Sequence, residues 1–174
     1  NFPAIKDILI DGMERRIQRP KNPKTQRRCY SGKKKAHTRE NTVIASFERK
    51  ILLLSPTKNG KLHDKKQLDK EGTMKNIPQS VTSWMDKGFQ GIQKTLTNGN
   101  AVMMPKKKPR GRDLTEEQKA ENAVISGIRM RVEHTIGGIK RYGCMSQVYR
   151  NKNGIDDKFT LVCAGLWNFH LKCA

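Results

Sequence analysis

The chain has 174 residues, of which 36 are Lys or Arg and 16 are Asp or Glu, giving a formal charge of +20 and a pI of about 10.1. Hydrophobic residues at 34% and aromatics at 6% suit one domain with a single core and leave little room for a second folded unit. No apolar run is long enough to span a membrane, and no long amphipathic Lys/Arg helix with an aromatic face appears, so no membrane association is expected.

Charge of this size and sign calls for a polyanion. Nucleic acid is the expected partner, because each phosphate neutralised by Lys or Arg releases condensed counterions. The first residues, Asn1-Phe2-Pro3-Ala4, show no basic region followed by an apolar stretch, so no signal peptide is expected. Without an initiator Met, the chain is expected to be the later part of a longer protein. Cys29, Cys144, Cys163 and Cys173 are scattered, with no Cys-x-x-Cys, and read as free thiols in a reducing compartment.

In chain order, Ala4 to Ile10 predicts a short strand ending at Asp11-Gly12. The segment 15–35 has no acid and no periodic apolar pattern, and with Pro20, Pro23 and Gly32 it predicts a basic loop. That loop is either a solvated tail or a phosphate-contacting insertion. Thr42–Phe47 and Ile51–Pro56 predict two strands joined by a hairpin at Glu48-Arg49-Lys50, the second buried on both faces. Asn59-Gly60 marks a turn, and a helix opens near His63-Asp64. Val81–Met85 and Ala101–Met104 are further strands, the latter running into a second basic loop at 105–112.

Thr115-Glu116-Glu117-Gln118 fits a capping box. Val124, Ile128, Val132, Ile136 and Ile139 then form one apolar helical stripe. Gly137-Gly138 near its end kinks the helix, ends it, or lets another backbone pack closely. Phe159–Leu171 predicts a final helix capping the core, and Trp84 and Trp167 read as core aromatics. The order of elements is that of an α/β fold with a mixed sheet.

Three acids stand out by position. Asp11 and Asp86 each follow a strand, and Glu133 lies on the long helix with Arg129 and Lys140 near the same face. Singly, each has a structural explanation: a hairpin turn for Asp11-Gly12, a turn for Asp86-x-Gly88, and an i, i+4 pair with Arg129 for Glu133.

Together they resemble the Asp-Asp-Glu triad of DDE transposases, in particular the IS5-like group and its eukaryotic Harbinger relatives. The motifs that carry the resemblance are Ile10-Asp11-Gly12-Met13-Glu14-Arg15, Gly60-Lys61-Leu62-His63-Asp64, Asp86-Lys87-Gly88-Phe89-Gln90-Gly91 and the Arg129-x3-Glu133-x6-Lys140 signature. The stretch Tyr30 to His37 and the loop before Arg112 also look like the family's. Where the family often has a Tyr three residues before the Arg, this chain has Ser126.

The resemblance implies an RNase H-like fold, a central mixed β-sheet flanked by helices, over the whole chain, with the family's upstream DNA-recognition segment expected to be missing. It implies divalent-metal-dependent phosphodiester cleavage and strand transfer at insertion-sequence ends, with Mg²⁺ or Mn²⁺ held by Asp11, Asp86 and Glu133. A pair of such ions about 3.5–4 Å apart activates water and stabilises the leaving alkoxide. His63, Asp64, Arg129 and Lys140 are implied auxiliaries, and Asp64 competes with Asp86 for the second ligand role. Arg15, Arg16, Lys33, Lys34, Lys35, Lys106, Lys107, Lys108, Arg110 and Arg112 are the expected DNA contacts. The expected partners are element-end and target DNA, with homo-oligomerisation on DNA, and the expected location is a prokaryotic cytoplasm at the nucleoid. The alternative is a basic nucleic-acid-binding protein without enzymatic activity, including a decayed transposase copy.

Overall fold

In the computed structural model the described residues are 5–61, 64–94, 99–151 and 154–174, the side chains of Asp64 and Gln67 excepted. The sheet is built on two long strands, β1 (Asp7–Arg16) and β3 (Ala36–Ser46), paired antiparallel from Ile8↔Ser46 to Arg16↔Thr38. Between them run the short helix α1 (Pro23–Cys29) and β2 (Tyr30–Ser31), which pairs with the start of β3. Strands β4 (Ile51–Leu54) and β5 (Lys58–Asn59) also add antiparallel to β3. On the other side of β1 lies β6 (Thr82–Met85) and then β7 (Val102–Met103), both parallel to their neighbours. The sheet is therefore mixed, in the order β2-β3-β1-β6-β7.

Alternation along β1 sends side chains to both faces. Leu9 and Met13 pack with Val43, Ala45 and Ile51 against α3 (Glu116–Ile139) and α5 (Asp156–Cys173), with Met145 from the one-turn α4 (Gly143–Ser146) filling in. Ile8, Ile10 and Ile44 face the opposite way, into a second cluster with Leu68 of α2 (Asp64–Glu71), Met85, Phe89 and Ile92. Helices thus cover both faces.

Thr115 caps α3 as its sequence predicts, accepting from the Gln118 amide while the Gln118 side chain accepts from the Thr115 amide. Of the three readings of Gly137-Gly138, two are seen: α3 ends at Ile139, directly after the pair, and a neighbouring helix packs closely on it. A Cβ on Gly138 would lie 2.3 Å from Cε3 of Trp167, so only glycine lets α5 lay its indole on α3. Trp167 is buried, and its Nε1 donates to the Arg49 carbonyl at 2.9 Å. Trp84 is half-buried against the first cluster and donates to Asp7 at 2.9 Å.

Three expectations need correction. The first strand does not turn at Asp11-Gly12; it continues to Arg16 because β3 offers ladder partners along its whole length. The segment 15–35 accordingly holds the end of β1, α1 and β2, with Asn22 capping α1 through bonds from the Lys24 and Thr25 amides. Strand β4 is not buried on both faces, and Leu52 and Leu53 are exposed, because β4 pairs with β3 alone. On its outer edge the Asn168 side chain takes both the amide and the carbonyl of Ile51.

Candidate active site

The parallel pairing of β1 and β6 runs from Asp7↔Thr82 to Ile10↔Met85 and stops there. One step further along the chain in each case are Asp11, midway along β1, and Asp86, just past the end of β6, side by side where the parallel pairing ends. Beyond Ile10, β1 has β3 on one edge and, among the described residues, no strand on the other. A cleft of about 910 Å³ opens over this free edge. Asp86 is held there by the 3₁₀ turn Lys87–Phe89: the Phe89 amide bonds back to the Asp86 carbonyl at 3.1 Å, and the fully buried Phe89 ring anchors the turn. The Gly12 amide donates to Asp11 Oδ1 at 2.8 Å and fixes that carboxylate.

Helix α3 forms the opposite wall. Arg129, Glu133, Ile136 and Lys140, at spacings of four, three and four, all line the cleft. The Arg129 guanidinium bridges the two aspartates, Nη2 to Asp11 Oδ2 at 3.5 Å and Nη1 to Asp86 Oδ1 at 3.1 Å. Glu133 is exposed on the same wall. Lys140 is pulled below the ordinary lysine range by burial first and by Lys34 next, against the opposing pull of Glu14 and Asp11. Oxygen donors of the kind hard divalent cations prefer are thus collected in one cleft. Among the described residues, no three His, Cys, Asp or Glu side chains converge closely enough to hold a metal ion.

Residues 10–168, a span that includes all three acids, match the family described as DDE superfamily endonuclease. The chain belongs to that family. Over 164 residues, 94% of its length, this endonuclease-family chain is 29% identical to a protein described as probable transposase for insertion sequence element IS702 from Microchaete diplosiphon. It spans 57% of that relative's length. No solved structure matches it.

Two acids of this DDE endonuclease cleft escape a reading of the sequence. Glu14 and Glu40 face each other across β1 and β3, and Thr38 Oγ1 donates to Glu14 at 2.8 Å. Their meeting follows from β1 continuing past Gly12, so the misplaced turn hid them. Glu40 is 6% exposed.

The expected DNA contacts divide. Lys33, Lys34 and Lys35 are exposed in the turn between β2 and β3, the first two on the cleft wall. Lys106, Lys107, Lys108, Arg110 and Arg112 are exposed in the loop before α3. There Lys106 pairs with Glu121 and Lys108 with Asp113, and Asn122 bonds the Lys106 backbone, folding the loop onto the helix. Arg16 is exposed at the end of β1. Arg15 is not on the surface. Its side chain is 1% exposed, bonds Asp156 at 2.5 Å and lies 4.2 Å over the Tyr149 ring. Alternation explains this: Arg15 shares the face of Met13, which is the core face. His63 lies outside the described residues, as does the side chain of Asp64, whose backbone opens α2.

Proposed function

We propose that the chain is the catalytic domain of an IS5-like DDE transposase, with an RNase H-like fold, cutting DNA phosphodiesters at element ends and joining the freed strand to target DNA. The observation that carries this reading is the β1–β6 register, which sets Asp11 beside Asp86 under the α3 wall bearing Arg129, Glu133 and Lys140. A sheet with antiparallel β3–β1 followed by parallel β1–β6–β7, covered by helices on both faces, supports the fold assignment. The probable-transposase relative supports the reaction. A prokaryotic cytoplasm at the nucleoid is the matching location, and no helix among the described residues is long and apolar enough to cross a membrane.

Asp11 and Asp86 fit a hard divalent cation, Mg²⁺ or Mn²⁺, by donor type, with Glu133 on the facing wall of the same cleft to complete the set. Such an ion supplies activation of water and charge stabilisation at the leaving oxygen. The chain's own residues do the rest. Arg129 holds the two carboxylates at a fixed spacing and would give up that bridge to a cation held by them. Lys140, Lys34 and Lys33 receive the phosphates of the strand being cut, and the partial burial of Lys140 strengthens its pull on an incoming anion. The Gly12 amide holds Asp11 in one rotamer throughout. Asp64, on α2, remains the competing second ligand.

The test is a nicking assay on element-end DNA with and without Mg²⁺. Asp11→Asn, Asp86→Asn and Glu133→Gln should each cut at least about a thousandfold more slowly, as several kcal/mol of charge stabilisation are lost, while DNA binding survives. Nicking by Asp86→Asn together with loss in Asp64→Asn would transfer the ligand role to Asp64. Binding without cleavage by the parent protein would establish the non-enzymatic alternative.

A further inference from the structure

Tyr30 is the aromatic side chain, among the described residues, that lines the cleft, and it is 45% exposed. Other rings packed on the sheet are engaged elsewhere. Phe89 and Trp167 are buried, Trp84 bonds Asp7, Tyr149 lies under Arg15, and Phe47 lies under Arg131. Tyr30 is held in place without being covered. It sits in β2, in register with His37, and the two rings meet edge to face with centroids 5.6 Å apart and planes at 71°. That contact fixes the ring by one neighbour and leaves it presented to the cleft.

Its surroundings are basic on both sides. Tyr30 lines the active-site cleft with Lys33, Lys34 and Lys61, and it also lines an adjoining groove with Arg19, Arg27 and the same Lys61. Among the described residues, Arg19, Arg27 and Lys61 form no ion pair with an acid. A fixed, exposed aromatic face among cations that follow one path is the arrangement that binds unpaired nucleotides: phosphates lie on the cations and a base stacks on the ring. A fully paired duplex keeps its bases stacked on each other and has no free face to offer. The occupant is therefore DNA with unpaired bases.

We propose that Tyr30 is a stacking platform for an unpaired DNA base beside the cleavage site, with the adjoining phosphates carried by Lys61 from the cleft towards Arg27 on α1. This rests on the reading of the cleft as a DNA-cutting site. It adds that the strand at the cut is locally unpaired and leaves along the α1 side.

The test uses the full chain without divalent metal, so that binding alone is read. Two probes are compared, a blunt duplex and the same duplex with a three-nucleotide single-stranded tail carrying 2-aminopurine. The parent should bind the tailed probe more tightly and quench its fluorescence. Tyr30→Ala should weaken tailed binding about tenfold, within the range for loss of one stacked base, and abolish the quenching, while blunt binding stays unchanged. Tyr30→Trp should retain both. Equal tailed binding by Tyr30→Ala and the parent, or equal losses on both probes, would overturn the platform. A parent that binds neither probe would instead overturn the DNA-cutting reading on which it rests.

Discussion

The molecule contains two clusters of arginine and aspartate with opposite stoichiometry. At the far end of β1, one carboxylate, Asp156, is shared by Arg15 and Arg39, and it is 3% exposed. At the middle of β1, two carboxylates, Asp11 and Asp86, share one guanidinium, that of Arg129, and are 19% and 33% exposed. The first cluster has surplus positive charge; its Arg15 and Asp156 are buried, with the Tyr149 ring against Arg15, while Arg39 reaches solvent. The second has surplus negative charge and opens to a cleft. Residue types are the same; the balance of charge and access to solvent differ. The surplus carboxylate of the second is what the proposed metal-binding role requires, and the first offers no such surplus.

The largest effect expected outside the three proposed metal ligands comes from breaking the Asp156 cluster. Asp156→Asn leaves Arg15 buried beside Arg39 without a compensating charge, and losing one partner of a buried pair costs about 3–5 kcal/mol. Equilibrium unfolding in urea should show the midpoint falling accordingly, with no change in that loss on adding Mn²⁺. Cleavage per folded molecule should stay at the parent's level. A stability within about 0.5 kcal/mol of the parent would mean that the cluster contributes no more than an ordinary surface substitution.

A smaller effect, of opposite metal dependence, is expected in the open cluster. Arg129→Gln leaves Asp11 and Asp86 facing each other without their shared cation, a loss of about 1–3 kcal/mol for charge-assisted bonds. Because the guanidinium no longer occupies the place between the carboxylates, Mn²⁺ should bind this variant more tightly and restore its melting temperature by linkage. Calorimetric titration and thermal unfolding with and without Mn²⁺ read both effects. Equal Mn²⁺ affinity in the variant and the parent would show that Arg129 and the cation do not compete.

The same contrast explains what the sequence made legible. Local signals were reliable where the cause is local: the Thr115 capping box, the hairpin between β3 and β4, and the strand ending before Asp86. The α3 stripe was legible in period but not in extent, since Val124 at its start is 63% exposed and burial begins at Ile125. Asp11-Gly12 looked like a turn because Asp-Gly is turn chemistry, yet the antiparallel partner that keeps β1 extended lies some thirty residues on, at Val43 and Thr42. Arg15 looked like a DNA contact because its acid, Asp156, is 141 residues away. Glu14 and Glu40 met only once the register was known. What sequence could not supply was pairing over distance, and each misplaced residue traces to it.

The smallest expected effect concerns Lys140, which sits beside the open cluster and senses its charge. Burial and Lys34 lower its affinity for a proton, while Glu14 and Asp11 oppose them. The folded-state value therefore lies below the unfolded value of 10.5. Between the two, the unfolded chain binds more protons than the folded one, and stability attributable to Lys140 rises with pH across that window. Cys163 acts in the other direction: its thiol is pushed up to about 12, chiefly by burial, so its contribution falls as pH rises through the ordinary thiol value. Total stability mixes the two. The difference between the parent and Lys140→Met cancels the Cys163 part, and this difference should rise with pH up to the ordinary lysine range. Lys34→Met should make the rise shallower by removing one cause of the shift. Bound DNA should do the same, because a phosphate against Lys140 favours its charged form. A difference curve that is flat or falls with pH would place the Lys140 ammonium in solvent and away from the cleft wall.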